Sequence, residues 1–269
     1  MLSLNNDFLG YHPKEHNVRF SGTDTSKIFL ENLKTKPIDW YYRSNLITYT
    51  RNNNGHRSKN IDEIDLNNYI LFIGCSHTEG IGLKLEDTYP YLLSNKLECD
   101  YYNLGIAATG IDVLKYNLTI WFAKVKKPPK LLILQWPNSA RFTLQNFPLS
   151  PNITPEPFYQ RGSWSATTYK EIGEFLVLAE HLNFFKTSYT LAKKLIHNIS
   201  TCPIIEVNTT EDEDTKSDVD LKLTRIDYAR DVQKYNSSIH EHGHMGVESQ
   251  KINTELLYQK IKNNQLACN

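Results

Sequence analysis

The feature that most constrains the fold of this chain is an alternation of short apolar segments with segments of helical periodicity. Predominantly apolar runs occur at 69–73, 101–104, 131–135 and 203–207. Such runs are typical of strands that are buried on both faces of a sheet. Apolar residues recur at helical spacing in the segments 88–97, 111–125, 171–185, 188–199 and 247–261. The alternation predicts an α/β fold with a central, mostly parallel sheet between layers of helices.

Residues 1–60 do not follow this alternation. They are polar and rich in Asn, and an Asn-Gly turn pair predicts a short hairpin near 47–57. We therefore predict an irregular N-terminal arm or cap over residues 1–60 and a main domain over residues 61–269. Within the main domain, residues 142–168 carry several prolines and little periodicity. We expect a long surface excursion there, of the kind that often forms a lid or a binding loop.

The charge balance limits the partners that this chain is expected to bind. It has 30 Lys and Arg against 30 Asp and Glu, so its formal net charge is zero. Without a global positive field we expect neither nucleic-acid nor membrane binding. No apolar stretch approaches a membrane span, and the N-terminus lacks the basic start and apolar core of a secretory signal. The scattered cysteines indicate free thiols, so we expect a cytoplasmic protein, with association with a virion left open.

The segment after the first apolar run carries the strongest candidate for chemistry. Residues 73–80 read Ile-Gly-Cys-Ser-His-Thr-Glu-Gly and place Ser76 on a glycine-bracketed turn at the carboxyl end of a strand, where ligands bind in parallel α/β sheets. A serine nucleophile needs a general base and an orienting carboxylate; alternatively, Ser76 only caps the following helix. Cys75 is less favoured as a nucleophile, because no electropositive residue adjacent in sequence would lower its pKa. His77 and Glu79 are expected to face solvent.

Two further strand ends carry groups that suit the stabilisation of an oxyanion. Gly105 lies just past the second apolar run, where a backbone N–H can face the site, and Asn138 follows the third run with a side-chain amide. With the Ser76 N–H they would supply the fixed donors that a tetrahedral intermediate needs. Both residues are also common in ordinary turns. Trp136 and Arg141 are candidates to shape a substrate pocket, or else to pack the loop.

The candidate general base lies just before the last predicted helix, in Glu241-His-Gly-His-Met-Gly246. His244 suits the role of proton acceptor, and Glu241, three residues earlier, suits that of its orienting carboxylate. His240, His242 and His244 alternate, which in a strand would place all three on one face, where they could gather a metal ion. Zinc sites of this kind usually need a ligand from elsewhere, so we expect no metal and no cofactor.

In their order and spacing, these segments resemble the sequence blocks of the SGNH (GDSL-like) hydrolases, in particular bacterial and phage-encoded members. The resemblance covers roughly residues 45–265. It rests on Gly-Cys-Ser-His-Thr-Glu-Gly, Asn-Leu-Gly-Ile-Ala-Ala-Thr-Gly, Trp-Pro-Asn and a late acid and histidine, together with an Asn-x-x-Gly-x-Arg segment at 52–57. It implies a flavodoxin-like three-layer α/β/α sandwich with the activity of an esterase, lipase, acetyl-ester hydrolase or acyltransferase, so that residues 61–269 form an SGNH-like hydrolase domain.

The resemblance also implies roles for the candidate residues. Ser76 would be the nucleophile, His244 the general base, and the glycine of the second block and the asparagine of the third the oxyanion donors. The third block departs from the family pattern Gly-x-Asn-Asp, since it reads Gln-Trp-Pro-Asn. The last block departs from Asp-x-x-His, because an apparent insertion separates Asp231 from His244. Either Glu241 or Asp231 is the orienting acid, and the local spacing favours Glu241.

From these observations we predict a serine ester hydrolase of SGNH type that acts through an acyl-enzyme on a small acyl ester or a carbohydrate acetyl ester. The alternative is an SGNH-like scaffold without catalysis, which serves as a binding or structural component, for example of a phage particle. Acyl transfer to an acceptor other than water uses the same residues and stays open. The expected partner is a small-molecule or glycan ester, and the sequence does not indicate an oligomeric state.

Overall fold

The chain folds into alternating strands and helices, as a computed structural model shows for residues 2–137, 141–145, 158–161, 184–209, 219–234 and 241–266. The strands are β1 (Leu2–Asn5), β2 (Phe8–Tyr11), β3 (Asn17–Val18), β4 (Tyr49–Thr50), β5 (Tyr69–Ile73), β6 (Asp100–Asn103), β7 (Leu131–Trp136), β8 (Phe142–Gln145), β9 (Phe158–Arg161), β10 (Ile204–Asn208), β11 (Leu221–Lys222), β12 (Gln233–Lys234) and β13 (Glu241–His242). The α-helices are α1 (Ser26–Thr35), α2 (Ser76–Glu79), α3 (Tyr89–Lys96), α4 (Ile111–Lys124), α5 (Phe184–Ile199) and α6 (Val247–Asn263).

The centre of the molecule is a five-stranded parallel sheet with the order β11-β10-β7-β5-β6. Numbered along the chain, these strands have the order 2-1-3-4-5, which is the flavodoxin-like arrangement. β5 and β7 are buried at every position, as expected of strands that are covered on both faces. The predicted fold class is confirmed.

Helices cover both faces of the sheet. Successive strand residues point to opposite faces, so Leu71 packs in a core cluster with Trp121 of α4 and Ile196 of α5. Its neighbour Phe72 packs in a second cluster, with Leu257 of α6 and with side chains of α3. The sheet is therefore the middle of three layers, and its carboxyl edge is left for loops.

The predicted helices of the main domain lie close to their expected places. α3, α4 and α6 begin and end within two residues of the periodic segments. α5 begins at Phe184, four residues before the predicted start. Most of the helix predicted for 171–185 lies outside the described residues, so that prediction stays untested.

The N-terminal arm is more regular than the sequence suggested. β1 and β2 form an antiparallel hairpin, and α1 has ten residues. The hairpin predicted near 47–57 is wrong, because β4 pairs with the distant β3, and only the turn around Gly55 forms. This distant pairing accompanies the complete burial of Tyr49 in an apolar cluster with Ile47 and the side chain of Val18.

Part of the predicted surface excursion at 142–168 is also regular. β8 and β9 pair with each other in antiparallel orientation, and β9 joins β1 of the arm. The remaining residues of the excursion lie outside the described part of the chain. The arm and the main domain therefore share a four-stranded sheet.

In the described ranges, no helix combines the length and apolar character that a membrane crossing requires.

Candidate active site

Ser76 lies on a tight turn at the carboxyl end of β5. This position is the topological switch point of the sheet, between the first and third strands along the chain, where ligands bind in such folds. A Cβ on Gly74 would lie 2.2 Å from Thr78 Oγ1, so only glycine fits before the turn. Gln135 of β7 holds the turn, since its Oε1 accepts from Cys75 N at 2.9 Å and from Thr78 Oγ1 at 3.0 Å.

The Ser76 side chain is held inside the turn. The residue is only 5% exposed, and its hydroxyl donates a weak hydrogen bond to Cys75 Sγ at 3.9 Å. Ser76 is also the first residue of α2. The cap position of α2 is Cys75, and no side-chain cap bond forms, so the alternative that Ser76 only caps the helix is wrong.

His244 is bound to a buried carboxylate. Its Nδ1 lies 2.6 Å from Asp231 Oδ2, and its backbone N–H donates to Asp231 Oδ1 at 3.1 Å. Burial disfavours the charged form of both side chains, but their mutual attraction and hydrogen bonds outweigh it. The pKa of Asp231 is therefore lowered, and the pKa of His244 is raised above its ordinary value. The pair has the arrangement of a general base and its orienting acid.

This contact corrects the preference for Glu241 as the orienting acid. Glu241 lies in β13, opposite Lys234 of β12 in an antiparallel ladder, and the carboxylate bonded to His244 is that of Asp231. The ladder explains how thirteen positions of separation are bridged. Because β12 and β13 run side by side, Asp231 just before β12 meets His244 just after β13.

Thr23 of the arm completes this pair, and no sequence signal pointed to it. Its hydroxyl donates to Asp231 Oδ2 at 2.6 Å and lies 3.4 Å from His244 Nδ1. The same carboxylate oxygen therefore contacts both Thr23 and the imidazole. The arm takes part in the site instead of only covering it.

The imidazole of His244 lies beside the serine turn. Its ring centroid is 4.9 Å from that of His77, the residue next to Ser76. Among the described residues, Ser76 Oγ and His244 share no hydrogen bond. The prediction that His77 faces solvent is wrong. The residue is half-buried, and its Nδ1 is buried. Burial first, and then the charges of His244 and Arg141, hold the pKa of His77 well below its usual value.

Cys75 is more acidic than its sequence neighbours suggested. Burial raises the pKa of this thiol, but the charge of Arg141, the His77 N–H and the Gln135 and Ser76 side chains outweigh burial and lower it overall. No sequence neighbour supplies this positive charge, as predicted, and Arg141 supplies it from a distant loop. The guanidinium of Arg141 acts on Cys75, His77 and His244 together, which places it at the site.

Gly105 lies behind the serine turn, and its backbone N–H is engaged. It donates to Asn103 Oδ1 at 2.8 Å, and Asn103 Nδ2 donates to Thr78 O at 2.8 Å. These bonds compete with the predicted role as an oxyanion donor. Farther along the loop, Ala108 has the left-handed φ of 61°, and its N–H has no acceptor among the described residues. A strained non-glycine residue beside a candidate site is a signal that only the structure can give.

Two other predicted site residues have different outcomes. Asn138 lies outside the described residues, so its role stays a prediction. Trp136 is fully buried, donates from Nε1 to Glu206 Oε2 at 2.9 Å, and packs edge-on against Tyr189. Its assignment to substrate binding is therefore wrong: the side chain belongs to the core beneath the site.

A buried ion pair links the arm to the serine turn. Glu79, expected at the surface, is fully buried and accepts from Arg51 Nη2 at 2.7 Å. Its other oxygen accepts from Tyr11 Oη at 2.8 Å and from Ala107 N at 2.7 Å. The same carboxylate therefore joins the arm, the serine turn and the loop that carries Ala108.

No group of three or more His, Cys, Asp or Glu side chains within the described ranges is placed to hold a metal ion. His242 lies in β13 with its side chain exposed, and His240 is outside those ranges.

The fold and these contacts define a parallel three-layer α/β protein with a serine turn and an Asp–His pair at the carboxyl edge of its sheet. No protein-family model matches the sequence. No curated protein matches it either.

Several solved structures are similar to this chain. One is a carbohydrate esterase whose active site displays divergent catalytic and non-catalytic binding functions, with 13% identity, a TM-score of 0.43, and coverage of 72% of this chain and 68% of the other. A family two carbohydrate esterase from Clostridium thermocellum, in complex with cellohexaose, has 11% identity, a TM-score of 0.42 and coverage of 75% and 65%. A member of the lipolytic protein G-D-S-L family from Veillonella parvula has 11% identity and a TM-score of 0.37, with coverage of 72% of this chain and 96% of the other. Identities this low do not transfer an activity.

Proposed function

We propose that the protein is a serine ester hydrolase of SGNH type that acts through an acyl-enzyme. The observation that carries the proposal is the Asp231–His244 pair, whose imidazole lies against the residue that follows Ser76. A buried carboxylate on Nδ1 holds the imidazole in the tautomer that leaves Nε2 free to accept a proton. The raised pKa of His244 makes it a stronger base than an isolated histidine.

In the proposed reaction, Ser76 Oγ attacks the carbonyl carbon of the ester while His244 Nε2 takes its proton. The tetrahedral intermediate collapses, the bond to the alcohol oxygen breaks, and His244 returns the proton to the departing alcohol. Water then attacks the acyl-enzyme with His244 again as base, which releases the acid and restores Ser76. The hydroxyl has to turn from Cys75 Sγ towards the imidazole when substrate binds, and catalytic hydrogen bonds often tighten only at that stage.

The oxyanion is held in this proposal by backbone and side-chain donors. The Ser76 N–H and the Asn138 side chain keep their predicted roles. Ala108 joins them, because its N–H has no described acceptor and Glu79 fixes the preceding peptide. Gly105 remains a candidate donor only if its N–H is released from Asn103.

The crowding around Ser76 supports a small acyl group. Its side chain is nearly buried, and the ring of the adjacent His77 packs against that of His244. A short acyl chain, such as acetyl, fits such a space better than a long one. The alcohol part has to extend outward, so an acetylated carbohydrate or another small acyl ester is the proposed substrate, and Arg141 is the proposed contact for its polar groups.

The proposal is tested with p-nitrophenyl acetate and a fluorophosphonate probe. The purified protein should release p-nitrophenol, and Ser76→Ala should abolish the release. The probe should label Ser76, as peptide mapping would show. Undiminished turnover by Ser76→Ala, or labelling at another residue, would rule out the mechanism.

The second candidate is an SGNH-like scaffold without catalysis that serves as a binding component. It is favoured by the Ser76 hydroxyl, which bonds to Cys75 Sγ and not to His244 in the described part of the chain. For this second candidate, we expect that the fluorophosphonate probe does not label the protein and that no short-chain ester is hydrolysed. An acyltransferase would label normally and give ester product when a competing alcohol is added.

A further inference from the structure

His77 has a ring nitrogen beside the candidate active site that no protein group uses. The residue is half-buried, and its Nδ1 is fully buried without a hydrogen-bond partner. Its Nε2 is neither fully buried nor hydrogen-bonded within the described ranges. One edge of the ring therefore faces inward, and the other edge is available to a ligand.

The available edge lies close to the groups that would react with a substrate. His77 directly follows Ser76, and its ring centroid is 4.9 Å from that of His244. In the proposed reaction, His244 returns a proton to the oxygen of the departing alcohol. A group that packs against the His244 ring is therefore better placed to meet the alcohol part of the ester than its acyl part.

The surroundings of His77 keep its ring neutral. Burial disfavours the charged imidazolium, and the positive charges of His244, Arg141 and Arg225 act in the same direction. The negative charge of Asp231 acts in the opposite direction but does not outweigh them. The pKa of His77 is therefore held well below its usual value, so the ring has one N–H donor and one acceptor nitrogen near neutral pH.

The burial of Nδ1 indicates which nitrogen carries the proton. A buried N–H without a partner is rarer in proteins than a buried acceptor without one. Nδ1 is therefore expected to be the acceptor, which places the proton on Nε2. His77 then offers the site a neutral N–H donor at the pH where His244 acts as a base.

We propose that His77 is a specificity-determining residue, and that its Nε2–H donates a hydrogen bond to an acceptor oxygen on the alcohol part of the ester. This inference rests on the proposed function and names the part of the substrate that His77 contacts. Esters of sugars and other polyols carry such an oxygen on the carbon next to the ester-bearing carbon. A plain alkyl alcohol carries none, and a site built to hydrogen-bond an oxygen discriminates against the analogue that lacks it.

Two acetate esters of similar shape test this contact. 2-Methoxyethyl acetate has an ether oxygen, which can only accept, where butyl acetate has a methylene group. His77→Phe keeps a ring against His244 but has no donor. The ratio of kcat/KM for the ether ester to kcat/KM for butyl acetate should be about three- to tenfold larger in the wild type than in His77→Phe, the effect of one neutral hydrogen bond. Comparing the ratio between variants cancels the different intrinsic reactivities of the two esters.

A second substitution separates donation from ring packing. His77→Gln restores an N–H donor without the ring, so it should recover part of the ratio. His242→Phe is the matched control, because the exposed His242 lies in β13, and it should leave the ratio unchanged. Equal ratios in the wild type and His77→Phe, or an equal change in His242→Phe, would overturn the proposal.

Nitrogen NMR of the Ser76→Ala protein, with isotopically labelled histidine, provides a readout that does not depend on activity. His77 should stay neutral with its proton on Nε2 from about pH 6 to about pH 8. A charged ring, or a proton on Nδ1, would overturn the proposed donor even if the wild type is an active esterase. An active wild type with equal ratios would overturn the role of His77 and leave the proposed function standing. A wild type that hydrolyses no acetate ester would overturn both.

Discussion

At the scale of single residues, the candidate site contains a carboxylate with three contacts. Asp231 accepts from the backbone of His244, from Thr23 and from the imidazole. A group held in this way has little freedom to rotate, so the imidazole is fixed in both orientation and tautomer. The same contacts explain why the pKa of Asp231 falls and that of His244 rises despite burial.

The first prediction concerns Asp231→Asn. A base acts only when neutral, so kcat/KM of the wild type should rise with pH through the raised pKa of His244. Without the carboxylate, burial dominates and the pKa of His244 falls, so the acidic limb should move to lower pH. The plateau should fall about 10³- to 10⁴-fold, because the tautomer is no longer fixed. Glu241→Gln is the control, and a larger loss there than in Asp231→Asn would refute the assignment.

The second prediction concerns Thr23. Thr23→Val keeps the shape of the side chain but removes the hydroxyl that donates to Asp231 at 2.6 Å. A hydrogen bond to a charged group is worth enough for kcat to fall about tenfold, with little change in KM. Thr23→Ser should restore most of the rate. Equal kinetics of the Val and Ser variants would show that the hydroxyl plays no positioning role.

The third prediction separates the two adjacent nucleophiles. Cys75 has a lowered pKa, and its charge raises the pKa of His244. A thiol mechanism is therefore the alternative to test. Cys75→Ala should retain most of the esterase rate and the labelling of residue 76, whereas Ser76→Ala should lose both. The reverse pattern would assign the reaction to the thiol.

At the scale of elements, the site is assembled by contacts between segments that are distant in sequence. The serine turn is tied to the arm by Arg51 and Glu79, both with fully buried side chains. Removing one partner of a buried ion pair leaves a charge without compensation, which costs far more than losing a surface pair.

The fourth prediction follows from this difference. Arg51→Met should lower the free energy of unfolding by about 3–5 kcal/mol, as measured by urea titration. Lys59→Met is the matched control, since Lys59 forms an ion pair with Asp100 with 55% of its side chain exposed, and it should cost about 0–1 kcal/mol. Similar losses in the two variants would mean that the buried pair does not stabilise the turn.

The elements also show which parts of the fold and of the candidate site could be predicted from the sequence. β5 and β7 were predictable because burial on both faces leaves a continuous apolar run, and the turn at Ser76 follows from the glycine beside it. The partner of His244 was not predictable, because the local spacing favours Glu241, and only the pairing of β12 with β13 brings Asp231 to the imidazole. Thr23 reaches Asp231 through long-range folding, which leaves no spacing to detect. Arg141, by contrast, was a candidate pocket residue because it follows the end of a strand. Trp136 was misjudged because an aromatic residue near a strand end suits a core as well as a pocket.

At the scale of the whole molecule, buried ionic contacts join the arm to the main domain. Asp24 of the arm accepts two hydrogen bonds from Arg230, at 2.9 and 2.7 Å, and a third from Tyr49 at 2.6 Å. Arg230 precedes the acid of the Asp–His pair. The boundary predicted near residue 60 marks a change in composition and periodicity along the sequence. We propose that it does not separate parts that fold independently.

The last prediction is that the two parts unfold together. Hydrogen exchange in increasing urea should show peptides from α1 in the arm and from β5 in the sheet losing protection at the same concentration. The reason is that opening the arm leaves the charges of Arg230 and Glu79 buried without their partners, Asp24 and Arg51. Asp24→Asn should lower both transitions equally, whereas Lys59→Met should move neither. Loss of arm protection at clearly lower urea, with the sheet still protected, would show that the arm is a separate unit and that Asp231 keeps its place without it.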